Sequence, residues 1–283
     1  MKPGNMDLTQ GRPLTQILLF AVPLVLGTVF QQLYSFVDTV LVGRLISVSA
    51  LAAVGTTYSL NFLILGFVQG LCVGFGILLA QSFGAQDRED LQRYFLSGCV
   101  LAVVFSVILT VITVLTAEPL LRLIQTPEDI LGMAADYIRV IFLGIPAAML
   151  YNYSAGALRA VGDSRHPFYF LLFSCALNIV LDYVFIVPLG GGVAGAAWAT
   201  VLSQLISGLL NLYWLLGRIR ILKDRRQGIA VSAQHMKRLC VVGLPMGFEY
   251  SVSAIGAVVM QGAINSLASV AVAGQTAGPK IRQ

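Results

Sequence analysis

Apolar stretches about as long as a bilayer is thick recur along this chain, and that recurrence limits the possible folds more than any other feature. They cover residues 14–42, 51–79, 91–116, 130–150, 168–188, 193–216 and 239–264. An eighth begins near Val270 and is cut at Gln283. Crossing the hydrocarbon core takes roughly 20 apolar residues in a helix. Within lipid every backbone N–H and C=O needs an internal partner, which a helix supplies. The pattern therefore predicts an all-α integral membrane protein with seven or eight spans. Charged residues make up 11% of the chain, against about 25% in soluble domains, too few to cover a water-facing surface. The first run is longer than a signal-peptide core and lacks a small-residue cleavage site before the next span, so it reads as retained.

Charged and turn-forming residues mark the exits from the apolar runs: Gly84 to Asp90, Gly162 to Pro167, and Gly190 to Gly192. With the N-terminus in the cytoplasm, the inner side collects Lys2, Arg12, Arg88, Arg93, Arg159, Arg165, Arg218, Arg220, Lys223, Arg225, Arg226, Lys237 and Arg238. The outer side holds Arg44 and Arg122. That asymmetry orients the protein N-in, and it accounts for the net charge of +5 without nucleic acid as a partner. Three regions follow: a first six-helix transmembrane bundle over 1–216, a basic cytoplasmic connector over 217–238, and an incomplete second bundle over 239–283. The connector is an orientation signal, with anionic lipid as a second reading. A shift of 222 residues aligns Pro23 with Pro245, Val37 with Val259, Leu45 with Leu267, Ser47 with Ser269 and Val48 with Val270. Duplicated bundles are a common plan for secondary carriers, and on this reading the C-terminal half of the carrier is missing.

A carboxylate at mid-bilayer costs roughly 2.5–3.5 kcal/mol on insertion scales, so it normally faces a cavity or a partner. Asp38 lies deep in the first span, with Gln31 and Tyr34 on the same helical face. Asn178 and Asp182 sit four apart in the fifth span and can share a proton or offer oxygens to a small cation such as Na⁺. The sixth span carries a polar stripe of Thr200, Ser203, Gln204, Ser207 and Asn211, readable as a site wall or as interhelical glue. Glu249 is a third acid, one turn after Pro245. Asp136 and Arg139, one turn apart, read as a local ion pair. Gly66, Gly70 and Gly74 have the spacing of close helix packing, and Pro23, Pro146 and Pro245 permit kinks. Cys72, Cys99, Cys175 and Cys240 lack metal or disulfide spacing and read as packing residues. There is no HExxH, GxSxG or Walker loop, which argues against an enzyme or an ATP-driven pump.

Several of these stretches together resemble the multidrug and toxic compound extrusion (MATE) family. They are Gln31-Gln32-Leu33-Tyr34-Ser35-Phe36-Val37-Asp38-Thr39-Val40-Leu41-Val42-Gly43-Arg44, then Ala157-Leu158-Arg159-Ala160-Val161-Gly162-Asp163, the Asn178…Asp182 pair, and Gly195-Ala196-Ala197-Trp198-Ala199-Thr200. The resemblance runs over essentially the whole chain. It implies two six-helix bundles in the cell membrane that exchange Na⁺ or H⁺ for small organic cations and drugs, with no other cofactor. It also implies that Asp38, Asn178, Asp182 and Thr200 are the cation-coupling site, with possible Na⁺ at Asp38, Asn178 and Asp182. Gln31, Tyr34, Gln204 and Glu249 are candidates for the substrate cavity. Two rivals stand beside this reading. A flippase for a lipid-linked precursor shares the two-bundle plan but calls for Arg and Lys in its cavity. A non-transporting membrane scaffold leaves three acids in the spans unexplained.

Overall fold

The structure is a computed structural model that describes residues 13–218, 231–266 and 276. Eight helices account for nearly all of them: α1 Pro13–Leu45, α2 Val48–Gly84, α3 Arg88–Leu123, α4 Glu128–Leu143, α5 Ile145–Ala160, α6 Arg165–Ile186, α7 Gly192–Arg218 and α8 Ala233–Asn265. Six are long and apolar enough to cross a membrane alone, and α4 with α5 makes a seventh span bent by 45°. The 130–150 stretch therefore stops short of the end of that span, which runs on to Ala160. Its break falls at Gly144, with Pro146 in the first turn of α5, where a missing N–H costs nothing. A Cβ at Gly144 would lie 2.3 Å from Val201 Cγ2 of α7. The bend thus puts backbone directly against a neighbour. Pro23 and Pro245 sit inside unbroken helices.

Short polar turns set the ends. Ser47 accepts the Ala50 N–H at 3.0 Å and Asp87 accepts the Asp90 N–H at 3.0 Å, capping α2 and α3. Gln86, Gln125 and Gly162 take positive φ (57°, 55° and 83°) where the chain leaves α2, α3 and α5. The α8 helix begins at Ala233, so the last basic residues of the expected connector, Lys237 and Arg238, are helical. Residues 219–230 and the expected eighth span from Val270 lie outside the described residues.

Inside the bundle α2 is the hub, packing on α3, α4, α5 and α8. Gly70 and Gly74 let α8 approach it backbone to backbone. A Cβ at Gly70 would lie 2.4 Å from the Met246 carbonyl oxygen, and one at Gly74 would lie 2.5 Å from Gly243 Cα. Phe75, Leu71, Leu79, Ile130, Phe142 and Leu158 fill the surrounding core. Val103, Val107, Val111 and Leu115 form an exposed stripe at helical spacing along α3, the surface that lipid covers. The four cysteines are free.

Candidate cation-coupling site

Three helices meet where the polar residues of the spans converge. The α6 helix packs against α7 over its length, and α1 lies across α6 while touching α7. On α6, Asn178 and Asp182 share one face and are 1% and 0% exposed. From α1, Asp38 brings its carboxyl within hydrogen-bonding reach of the Asp182 carboxyl. One turn earlier Tyr34 places its hydroxyl 3.3 Å from Thr200 Oγ1 of α7. The Thr200 hydroxyl donates to the Ala196 carbonyl at 3.2 Å, so the Tyr34 hydroxyl is the donor in that contact. With its amide turned so that the nitrogen faces the acid, Asn178 donates to Asp182 Oδ2 at 2.8 Å and accepts the Thr200 backbone N–H at 3.2 Å. One amide thus ties the carboxylate of α6 to the backbone of α7.

Burial and proximity make it costly to charge both acids at once. Asp182 Oδ1 is buried with no hydrogen-bond donor among the described residues, and its acidic neighbour is the Asp38 carboxyl. Two carboxylates about 4 Å apart repel by roughly 4 kcal/mol even at an effective dielectric of 20, and burial penalises each charge further. A single proton or small cation between them removes the repulsion and satisfies the buried oxygen. The oxygens gathered here are hard ones, from two carboxyls and two hydroxyls, with the Asn178 amide already engaged to Asp182 and the Thr200 backbone, and such oxygens suit H⁺ or Na⁺. Among the described residues no group of three or more His, Cys, Asp or Glu gathers, here or elsewhere, in a way that could hold a metal ion.

The other expected positions separate. Gln204 is half-buried on α7, one turn beyond Thr200, whereas Gln31 is exposed on α1. Glu249 is exposed on α8, a helix that packs on α2 and α3 rather than on α6. Much of the α7 stripe is interhelical glue: Ser207 Oγ donates to the Phe170 carbonyl at 3.1 Å, and Ser174 Oγ of α6 donates to the Ser203 carbonyl at 2.9 Å. Arg139 does not pair with Asp136. It donates to Glu118 of α3 at 2.9 Å, because the packing of α3 on α4 presents a nearer carboxylate than its own helix does. Tyr137, buried on α4, stands close enough to Asp38 and Asp182 to feel both charges. It was not anticipated, since a lone tyrosine in an apolar run shows no periodic signal.

Comparison with known proteins bears on the fold and the family. A family model described as MatE matches residues 23–184, more than half of the chain. The "Probable multidrug resistance protein YpnP" of Bacillus subtilis is 31% identical over 95% of this chain and 60% of its own length. Its relative YoeA from the same organism is 31% identical over 90% of this chain and 57% of its own. A solved multidrug resistance MATE family transporter in an inward-facing conformation superposes with TM-score 0.80 and 30% identity, covering 89% of this chain and 57% of that one. The chain thus spans about 60% of the length of these curated relatives. With a family match of that extent, this chain belongs to the MATE family, multi-pass proteins of the plasma membrane that are transporters and not enzymes.

Proposed function

We propose that this chain forms the ion-coupling bundle of a secondary carrier that exports small organic cations in exchange for H⁺ or Na⁺. The observation that carries the reading is the juxtaposition of Asp38 and Asp182 across two helices. A cation arriving from outside neutralises the pair, which lets α1 settle against α6 and α7. Without that cation the repulsion between the carboxyls favours their separation. An organic cation that uses the same negative charge as its counter-ion is displaced when the coupling ion binds. Each ligand then biases the carrier only by its differential affinity for the two arrangements. The relatives named as multidrug resistance proteins support the substrate class. A lipid-linked-precursor flippase fits less well, because acids rather than basic residues gather between α1, α6 and α7.

The test is ethidium efflux by a full-length carrier that contains this bundle, comparing the native sequence with Asp38→Asn. Efflux should fall to the background of cells without the carrier while the amount of protein in the membrane is unchanged. Undiminished efflux by Asp38→Asn would remove the carboxyl pair from the mechanism.

A further inference from the structure

A second polar cluster lies at the cytoplasmic end of the molecule, away from the carboxyl pair, and joins the first bundle to the start of the second. His235, in the first turn of α8, is buried. Its Nε2 is 3.1 Å from Asp90 Oδ1 in the first turn of α3. Its ring packs edge-on against Tyr94, with centroids 4.6 Å apart at 63°. One turn along α8, Arg238 donates to the Tyr94 hydroxyl at 3.2 Å. Three contacts therefore tie this pair of α3 residues to this pair of α8 residues, across helices that packing elsewhere leaves only lightly in contact. Above this grip α8 rides on the α2 glycines, a seam of backbone contacts that holds the helices close without interlocking side chains.

We infer that Asp90, Tyr94, His235 and Arg238 form a pH-sensitive latch that holds the inner ends of α3 and α8 together. The inference rests on the transporter reading for its purpose, though not for its existence. With His235 neutral, the contact to Asp90 is an ordinary hydrogen bond. With His235 protonated it becomes a charge-assisted ion pair, the stronger kind. Histidine is the side chain that changes charge between about pH 5 and 8, so the latch tightens as the cytoplasm acidifies and loosens as it becomes alkaline. The other charges are disposed around it. Arg238 shares the Asp90 field, while Lys237 is exposed on the same helix. On α3, Glu89 and Arg93 pair with each other. The α2 helix carries only Tyr58 and Cys72 as titratable groups, both well short of its inner end. A carrier that imports protons would, with this latch, open less readily to a cytoplasm already acid.

The experiment places spin labels at Arg88→Cys and Gln234→Cys in the chain, with its four cysteines replaced by serine, in lipid nanodiscs. Pulsed electron–electron resonance then reads the α3–α8 separation at pH 5.5 and pH 8. The ratio of the short-distance to the long-distance population should rise roughly two- to five-fold on acidification, the scale of one partly exposed ion pair. His235→Gln and Asp90→Asn should each abolish the shift, and Glu89→Gln should keep it. A distribution that ignores pH, or a shift that survives His235→Gln, overturns the latch. Neither outcome depends on drug or ion transport, so a failure of the carrier reading is separable from a failure of this one.

Discussion

Asp38 and Asp182 come from residues 144 positions apart in the chain, yet their carboxyls meet within hydrogen-bonding reach. Helical spacing was enough to align Tyr34 with Asp38 and Asn178 with Asp182, because an i, i+4 repeat in an apolar helix puts both on one face. The cost of an acid in lipid was enough to mark them as candidates for a site. What spacing cannot supply is which helix face meets which. Tyr137 went unseen for that reason, and Arg139 was assigned the carboxylate nearest in sequence when Glu118 of α3 is nearest in space. At this scale the supporting hydroxyls should matter less than the acids. Tyr34→Phe removes one hydrogen bond and Thr200→Val two, and each should weaken coupling-ion binding by about two- to ten-fold. Calorimetric or isotope titration of the ion checks this. Affinities equal to that of the native chain would take both hydroxyls out of the site.

Among the helices, α2 sets the arrangement through what it lacks. Gly70 and Gly74 leave room for the backbone of α8 itself, so a side chain there must push a whole helix away. Gly70→Leu should destabilise the chain by about 1–3 kcal/mol, the usual cost of overpacking, and lower the thermal midpoint in detergent. Gly132→Ala, which meets nothing within 4 Å, should leave the midpoint in place. The glycine spacing was visible in the sequence, and so was its meaning as close packing. Its partner, the first helix beyond the basic connector, was not, since nothing local in a row of glycines names the surface that fills the groove. The Gly144 bend was equally hidden. Pro146 drew attention as a kink, but the helix breaks two residues earlier and the proline only starts the next segment.

For the molecule as a whole, seven spans and an all-helical structure among the described residues followed from hydropathy, and the distribution of basic residues predicts N-in orientation; both act through the bilayer and need no knowledge of tertiary contacts. The orientation has a direct check in the two positive-φ turn residues. In a chain with its four cysteines replaced by serine, Gln86→Cys should react with a membrane-impermeant maleimide from the cytoplasmic side only, and Gln125→Cys from the outer side only. The reverse pattern would invert the topology and the direction of the proposed exchange. On the proposed mechanism, two carboxyls on α1 and α6 hold one cation between them. Infrared difference spectroscopy of the chain in lipid, between acid and alkaline pH and with Na⁺ added at fixed pH, reads the carboxyl C=O stretch of that pair. The account predicts a buried-carboxyl band that disappears when the proton leaves or is exchanged for Na⁺, and that Asp38→Asn and Asp182→Asn each remove. A band that either variant leaves unchanged would show that the two acids do not share an ion.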